Sequence, residues 1–271
     1  MEQLLANPAV QAGIAPFFVA LIVAVALSPF RLAGIAVIAA FLVGMHLLTG
    51  IQFTPLTVTR KFLILAIVAA LLGPLLDFVL KPARFGAFAL GAATALCSVW
   101  VLWPVLVQQP LQEAWLLGGS AFLAIAVMVG FAQARLADDA IRAGAAALAL
   151  GLGAGVAAVL GASLVYGLYG VALGAGAGGY LLPQMMRGKR TAAGATFVLP
   201  AISIGGFIAV GAMALAELPW YSVLILALIP VAVGLPGPDR GPVWLQAVVF
   251  SLYGLVIAGI ACVVAWPSTQ P

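Results

Sequence analysis

The chain has 271 residues, 65% of them hydrophobic and 7% charged, with a mean hydropathy of +1.26 and a net charge of +4. Soluble domains carry roughly 25% charged residues, so this composition excludes a water-soluble globular fold and predicts an all-α, polytopic membrane bundle. In such a chain an excess of lysine and arginine belongs to cytoplasmic loops; nucleic acid is excluded as a partner and the lipid bilayer takes its place.

The opening "MEQLLANPAVQAGIAPFF" has no positive charge ahead of its apolar run and no small-residue cleavage site after it, so it reads as a first span rather than a removed leader. Stretches long enough to cross a bilayer fall at 10–29, 32–52, 62–80, 85–107, 114–134, 143–162, 164–183, 193–215, 220–236 and 243–265, ten spans in one membrane domain covering 1–271.

The second span holds His46, the single histidine, in "LVGMHLLTG". One histidine excludes a haem held by two histidines of this chain, and no cofactor is expected. An ionisable group at that depth is costly, so His46 is predicted to face the bundle and ranks first among candidate pathway residues. In the third span Pro74 interrupts the helix, and Asp77 lies near its end in "GPLLDFVLKPAR" with Lys81 at i+4, the spacing of a helix-end ion pair. The fourth carries Thr94 and Ser98. Cys97 and Cys262 sit in apolar runs without a C-x-x-C, as small buried hydrophobes with no metal site. "RLADDAIR" pairs Asp138 and Asp139 between Arg135 and Arg142, which helix capping and local ion pairing explain without metal.

Residues 143–183 carry no charge and are predicted to form two spans joined by a tight turn near Ala162–Ser163. Within them "VALGAGAGGYLLPQ" spells G-x-G-x-x-G with Gly174, Gly176 and Gly179. A dinucleotide loop needs a preceding strand and an acidic residue about 20 positions later; here none occurs between Asp139 and Glu217. Read as helices, Gly170, Gly174 and Gly178 make one bare stripe and Gly151 and Gly155 another, faces that let helices touch in lipid. "GAGAGGYLLPQ" also resembles the glycine-rich signature of sulfite-exporter-type permeases; that family carries a version in each half of a shorter bundle, and residues 1–140 hold no counterpart. Further on, Pro200 and Ser203 lie in the eighth span, Pro230 in the ninth, and Ser251 and Tyr253 in the tenth.

The charges divide unequally. Arg31, Lys81, Arg84, Arg135, Arg142, Arg187, Lys189, Arg190 and Arg240 fall on one side, Arg60 and Lys61 on the other. The positive-inside rule then puts both termini outside. Trp100, Trp103, Trp115, Trp220 and Trp266 fall at the outer edge and Trp244 at the inner, as an interfacial belt. Ten spans divide as 1–140 and 141–271, with the second half inverted. Spans three and eight then correspond, both broken by proline, which points to a midplane site. A duplicated hairpin, "LILAIVAALLGP" against "LILALIPVAVGLPGP", is the competing repeat.

No Ser–His–Asp set and no metal-ligand cluster is present, which argues against an enzyme. The leading expectation is a permease or exporter for a small neutral or amphipathic solute in a cell membrane, a bacterial inner membrane on this reading. In architecture it is similar to drug/metabolite exporters and bile-acid-type symporters, an analogy of fold alone. Its pathway residues would be His46, Pro74, Asp77, Thr94, Ser98, Pro200, Ser203, Pro230, Ser251 and Tyr253. The alternative is a non-catalytic subunit or scaffold of a membrane complex, with a homodimer or another membrane protein as partner. Topology is directly testable: with Cys97 and Cys262 removed, cysteines placed at Lys189 and Gln270 are expected to label from opposite sides of the membrane, and labelling of both from one side would refute the ten-span plan.

Overall fold

The computed structural model describes residues 7–51, 53–54, 57–80, 84–188, 191–237 and 241–266, which are helical with no strand among them. The helices are α1 (Val10–Phe30, with a π-helical first turn and a 3₁₀ end), α2 (Ile35–Thr49) and α3 (Val58–Leu75, continued as a π-helix, Leu76–Leu80). There follow α4 (Arg84–Leu106), α5 (Leu111–Arg135), α6 (Ala140–Leu160), α7 (Leu164–Arg187) and α8 (Gly194–Leu215). The last are α9 (Trp220–Leu226), α10 (Ile229–Val233) and α11 (Val243–Ala265). Eight of them, α1, α3 to α8 and α11, are long and apolar enough to cross a membrane, consistent with a multi-pass membrane protein.

Two expected spans depart from full length. The second, expected at 32–52, is α2 with 15 residues, about 22 Å against a hydrocarbon thickness of about 30 Å. It starts late because Arg31 is left-handed (φ 60°) after the 3₁₀ turn, and it stops at Gly50 (φ 72°). The ninth, expected continuous over 220–236, is broken. Pro230 has no N–H for the Leu226 carbonyl, so the chain turns at Ala227–Leu228 and restarts as α10. The turn expected near Ala162–Ser163 is where it should be: α6 ends at Leu160, Ala162 has φ 63°, and the Ser163 hydroxyl accepts from the Tyr166 N–H to open α7.

The core is organised around α8. Every residue from Ala195 to Met213 is buried, against a burial of 22–39% for the most apolar stretch of α1, α3, α4, α5 or α11. Helices α3, α5, α6 and α7 pack around it, with α2 touching it more lightly. The two halves do not repeat the same pairings: α6 packs on both α8 and α11, whereas α1 makes no substantial contact with α3 or α5. Spans three and eight nevertheless meet, as α3 against α8.

The α6–α7 pair is the tightest in the bundle, and glycine is the reason. A Cβ on Gly170 would lie 2.6 Å from the Gly151 carbonyl oxygen and fall on the Gly155 backbone; one on Gly155 would come within 2.9 Å of the Gly167 carbonyl. On Gly174 it would meet Leu152 at 2.9 Å. Gly178 departs from the expected stripe, since a Cβ there has ordinary contacts at 3.6 Å and beyond. Instead α7 carries a second bare face: a Cβ on Gly176 would lie 2.9 Å from the Ala40 methyl on α2, and Gly179 has no room for a Cβ beside the Phe17 carbonyl and Ala20 of α1. Helix α7 is therefore pressed between α6 and the α1–α2 pair. Overpacking of this kind costs on the order of 1–3 kcal/mol. Gly170→Ala is expected to lower the thermal midpoint in detergent by several degrees and Gly178→Ala to leave it unchanged; equal midpoints would refute the close backbone contact.

Candidate functional site

Neighbouring helices run in opposite directions, so the bundle has two ends. One, the clasp end, gathers Asp77, Asp139, Arg142 and Thr191; the other, the aromatic end, gathers Thr49, Thr59, Lys61, Trp100, Tyr166 and Tyr169.

At the clasp end a buried helix must find partners for its first N–H groups inside the protein. The Ala137 carbonyl takes the N–H groups of Ala193 and Gly194, both at 2.9 Å. The carboxylate of Asp77 takes the next two, Ala195 N–H on Oδ1 and Thr196 N–H on Oδ2, each at 2.7 Å, and accepts the Thr196 hydroxyl at 2.6 Å. Gly194 makes this possible. It has φ 70°, and a Cβ there would collide with the carboxylate. The negative charge also sits at the positive end of the α8 dipole. The expected pairing of Asp77 with Lys81 falls on a residue outside those described, and Asp77 is spent on α8. A second clasp holds the other half. Asp139 caps α6 through the N–H groups of Ile141 and Arg142 and lies 3.6 Å from Arg142 Nε, as its sequence context predicts. Arg142 reaches on to the Val233 and Leu235 carbonyls at the end of α10 and stacks over Phe250.

Between the ends, α3 and α4 hardly touch although they are consecutive, whereas α4 and α5 pack along their length. The gap is a cleft of about 90 Å³ floored by α8. Val68 and Leu72 line its α3 wall, Thr94 and Cys97 its α4 wall, and Leu199, Ser203 and Phe207 its floor, near the middle of these helices. Among the described residues no charged side chain lines it. Thr94 donates to its own helix at the Leu90 carbonyl (2.8 Å), but the Ser203 hydroxyl is fully buried and makes no hydrogen bond among the described residues.

Toward the aromatic end the cleft is walled by Phe207, which stacks on Phe62 (centroids 5.3 Å apart, planes 10° apart). Beyond it Phe41, Phe62, Tyr166 and Tyr169 close around a cavity whose volume, about 10 Å³ for the centre of a water molecule, is on the order of one water. The tyrosine hydroxyls bond to Thr49 (2.8 Å) and Thr59 (3.4 Å). An aromatic plug thus separates the cleft from this end.

Of the predicted pathway residues, Thr94 and Ser203 line one cleft, with Pro200 beside it, while Pro74 and Asp77 stand at its clasp end on α3. The others lie elsewhere. His46 is exposed, a correction to its expected inward orientation: the buried stripe of α2 runs through Val37, Phe41, Gly44 and Met45, and His46 falls off it. Ser98 is buried and donates to the Ala95 carbonyl (2.7 Å). Ser251 and Tyr253 are on α11 and Pro230 on α10, helices that have no substantial contact with α3 or α4. Sequence reasoning missed Cys97, Phe207 and the aromatic plug; the i, i+3 tyrosines of "LVYGLYG" were its visible signal. Comparison with protein-family models, curated proteins and solved structures finds no match.

The clasp gives a direct expectation. Losing a charged helix cap costs about 1–2 kcal/mol, so Asp77→Ala should lower the thermal midpoint and speed amide exchange at Ala195 and Thr196, with Gly194→Ala behaving alike. Unaltered exchange at those two amides would show that α8 is capped by other means.

Proposed function

We propose that the chain is a permease or exporter for a small neutral or amphipathic solute, that it works without a cofactor and is not an enzyme, and that the α3–α4–α8 cleft is its binding site. The observation that carries the proposal is the Ser203 hydroxyl, buried at the cleft floor without a hydrogen-bond partner among the described residues. An unsatisfied buried hydroxyl costs about 1–3 kcal/mol, which a solute offering one polar atom recovers on binding. The apolar walls and the Thr94 oxygen supply shape and a second polar contact. The mobile part on this reading is the loosely packed α3–α4 pair, moving against the glycine-locked α6–α7 pair, with Phe207 and the aromatic plug as the closed gate. The same reading counts ten spans, α2 and the broken α9–α10 included, with the clasp end in the cytoplasm and both termini outside a bacterial inner membrane, following the charge split.

A subunit or scaffold is the alternative, suited by the scarcity of buried polar groups and by glycine and alanine surfaces; of those surfaces, the glycine faces at α6–α7 and at α7 with α1 and α2 are occupied within the chain. One surface still favours it: an exposed apolar groove between α4 and α5 at the aromatic end, lined by Trp103, Trp115 and Gly119. A homodimer or a foreign membrane subunit would seat there.

Purification in mild detergent without crosslinking separates the readings. The permease is expected as a monomer or homodimer, and proteoliposomes are expected to admit a solute from a neutral and amphipathic panel, with Thr94→Leu, which adds bulk to the α4 wall of the cleft, abolishing that flux while the folded protein is still recovered. A foreign subunit retained at one-to-one stoichiometry, or flux indifferent to Thr94→Leu, would overturn the permease.

A further inference from the structure

The charge split leaves two cations, Arg60 and Lys61, at the aromatic end, and they stand side by side at the start of α3. A helix N-terminus is the positive end of the dipole, so cations are repelled there and an anion is favoured. Yet Thr57 caps α3 without a side-chain bond, and the first turn holds no acid. The N–H groups of Val58 and Thr59 find no acceptor among the described residues. Thr57 is exposed and Val58, Thr59 and Arg60 are part-exposed, so this turn lies at the surface of the bundle.

Lys61 adds a second, independent sign of a missing anion. Side chains lean toward the N-terminus of their helix, so the Lys61 stem leans back over that first turn. The residue is 8% exposed with no lipid around the chain. Its Nζ is not one of the sealed, unbonded polar atoms, so the stem is buried and the ammonium emerges. It emerges 4.7 Å from the centroid of Trp100, a half-exposed ring on α4. An ammonium carries three donors. Among the described residues no carboxylate or other hydrogen-bond acceptor takes them from Lys61, and a ring face attracts the charge without taking up those donors.

The exposed rings of Trp100, Trp103 and Trp115 at the same end mark the depth of the lipid headgroups. One lysine or arginine gains about fivefold in binding at an anionic lipid surface, and two gain about thirtyfold. That is too little to hold a free anion from dilute solution, and enough to choose among lipids already lying against α3. We propose that the start of α3 binds the headgroup phosphate of an anionic phospholipid. Lys61 supplies the cation with Arg60 beside it, the Val58 and Thr59 N–H groups supply donors, and Trp100 flanks the headgroup. The acyl chains stay in the bilayer, and the site needs no cavity. It is separate from the solute cleft, which Phe207 and the aromatic plug close off from this end, and it stands whether or not the chain carries a solute.

The full-length protein is placed in phosphatidylcholine nanodiscs doped with phosphatidylglycerol that carries a diazirine in its headgroup, irradiated, and mapped by peptide mass spectrometry. Adducts are expected on residues 57–61 and at Trp100, and also at the clasp end, where Arg135 and Arg187 are exposed. Lys61→Gln is expected to cut the adducts at the start of α3 about fivefold, the share of one cation, and Lys61→Arg to restore them. Clasp-end adducts at the wild-type level show that the variant is folded. Phosphatidylcholine with the same headgroup diazirine is expected to label residues 57–61 of the wild-type protein about fivefold more weakly than phosphatidylglycerol. That comparison needs no variant, and it decides the matter if Lys61→Gln loses the clasp-end adducts too. Equal labelling of residues 57–61 by the two lipids, or by phosphatidylglycerol in wild-type and folded Lys61→Gln protein, would overturn the proposal. So would loss of these adducts in millimolar inorganic phosphate, because a free anion would then be the ligand.

Discussion

A helix enclosed by protein on all sides cannot hand its terminal N–H groups to water, and α8 is such a helix. Its first four donors are met by two acceptors from elsewhere in the chain, the Ala137 carbonyl and the Asp77 carboxylate. That requirement fixes the geometry of the clasp end. It draws the end of α3 and the turn between α5 and α6 onto one point, and it demands a glycine at position 194 because the carboxylate occupies the space of a side chain. The acid that looked most like a buried transport group is thereby committed to structure.

Packing then divides the bundle into a rigid and a loose part. On one side of α8 the glycines of α6 and α7 bring backbones into contact, and in lipid such contact is what holds helices together, since apolar surface alone gains nothing there. On the other side α3 and α4 part around a cleft, with no glycine of α3 set against a glycine of α4 there. The π-helical end of α3 and its Pro74 continue the irregularity into that side. A site that must open belongs among such weakly held elements.

Much of this arrangement was legible in the sequence. Hydropathy located every helical rod, and the turn at Ala162 followed from a charge-free run too long for one span. Asp139 behaved as a cap because its flanking arginines and its place before an apolar run say so. What remained hidden depends on non-local packing. His46 drew notice as a lone ionisable residue, but which way it faces depends on the angular position of one residue against the stripe beginning at Val37. The Asp77 partner was sought four residues away and lies at Ala195 and Thr196, because a carboxylate is drawn by unsatisfied amides as well as by cations. Three prolines suggested one site; the structure brings Pro74 and Pro200 to α3 and α8, which pack together, and leaves Pro230 on the far side. Gly178 fits the i, i+4 spelling yet makes no close approach, since spacing says which residues share a face and not what that face meets.

The clasp also sets an order of events during synthesis. Asp77 and Ala195 are separated by 118 residues, so at about 5–20 residues per second the carboxylate waits on the order of 6–24 s for its partner to be made. Through that interval α3 stands with its acid not yet bonded to α8. The position of Asp77 in the last turns of its helix keeps the charge at that end until α8 arrives. The bundle is therefore closed late, by a bond between an early helix and the eighth rod of the chain, and any nascent chain released before residue 195 carries its central seat empty.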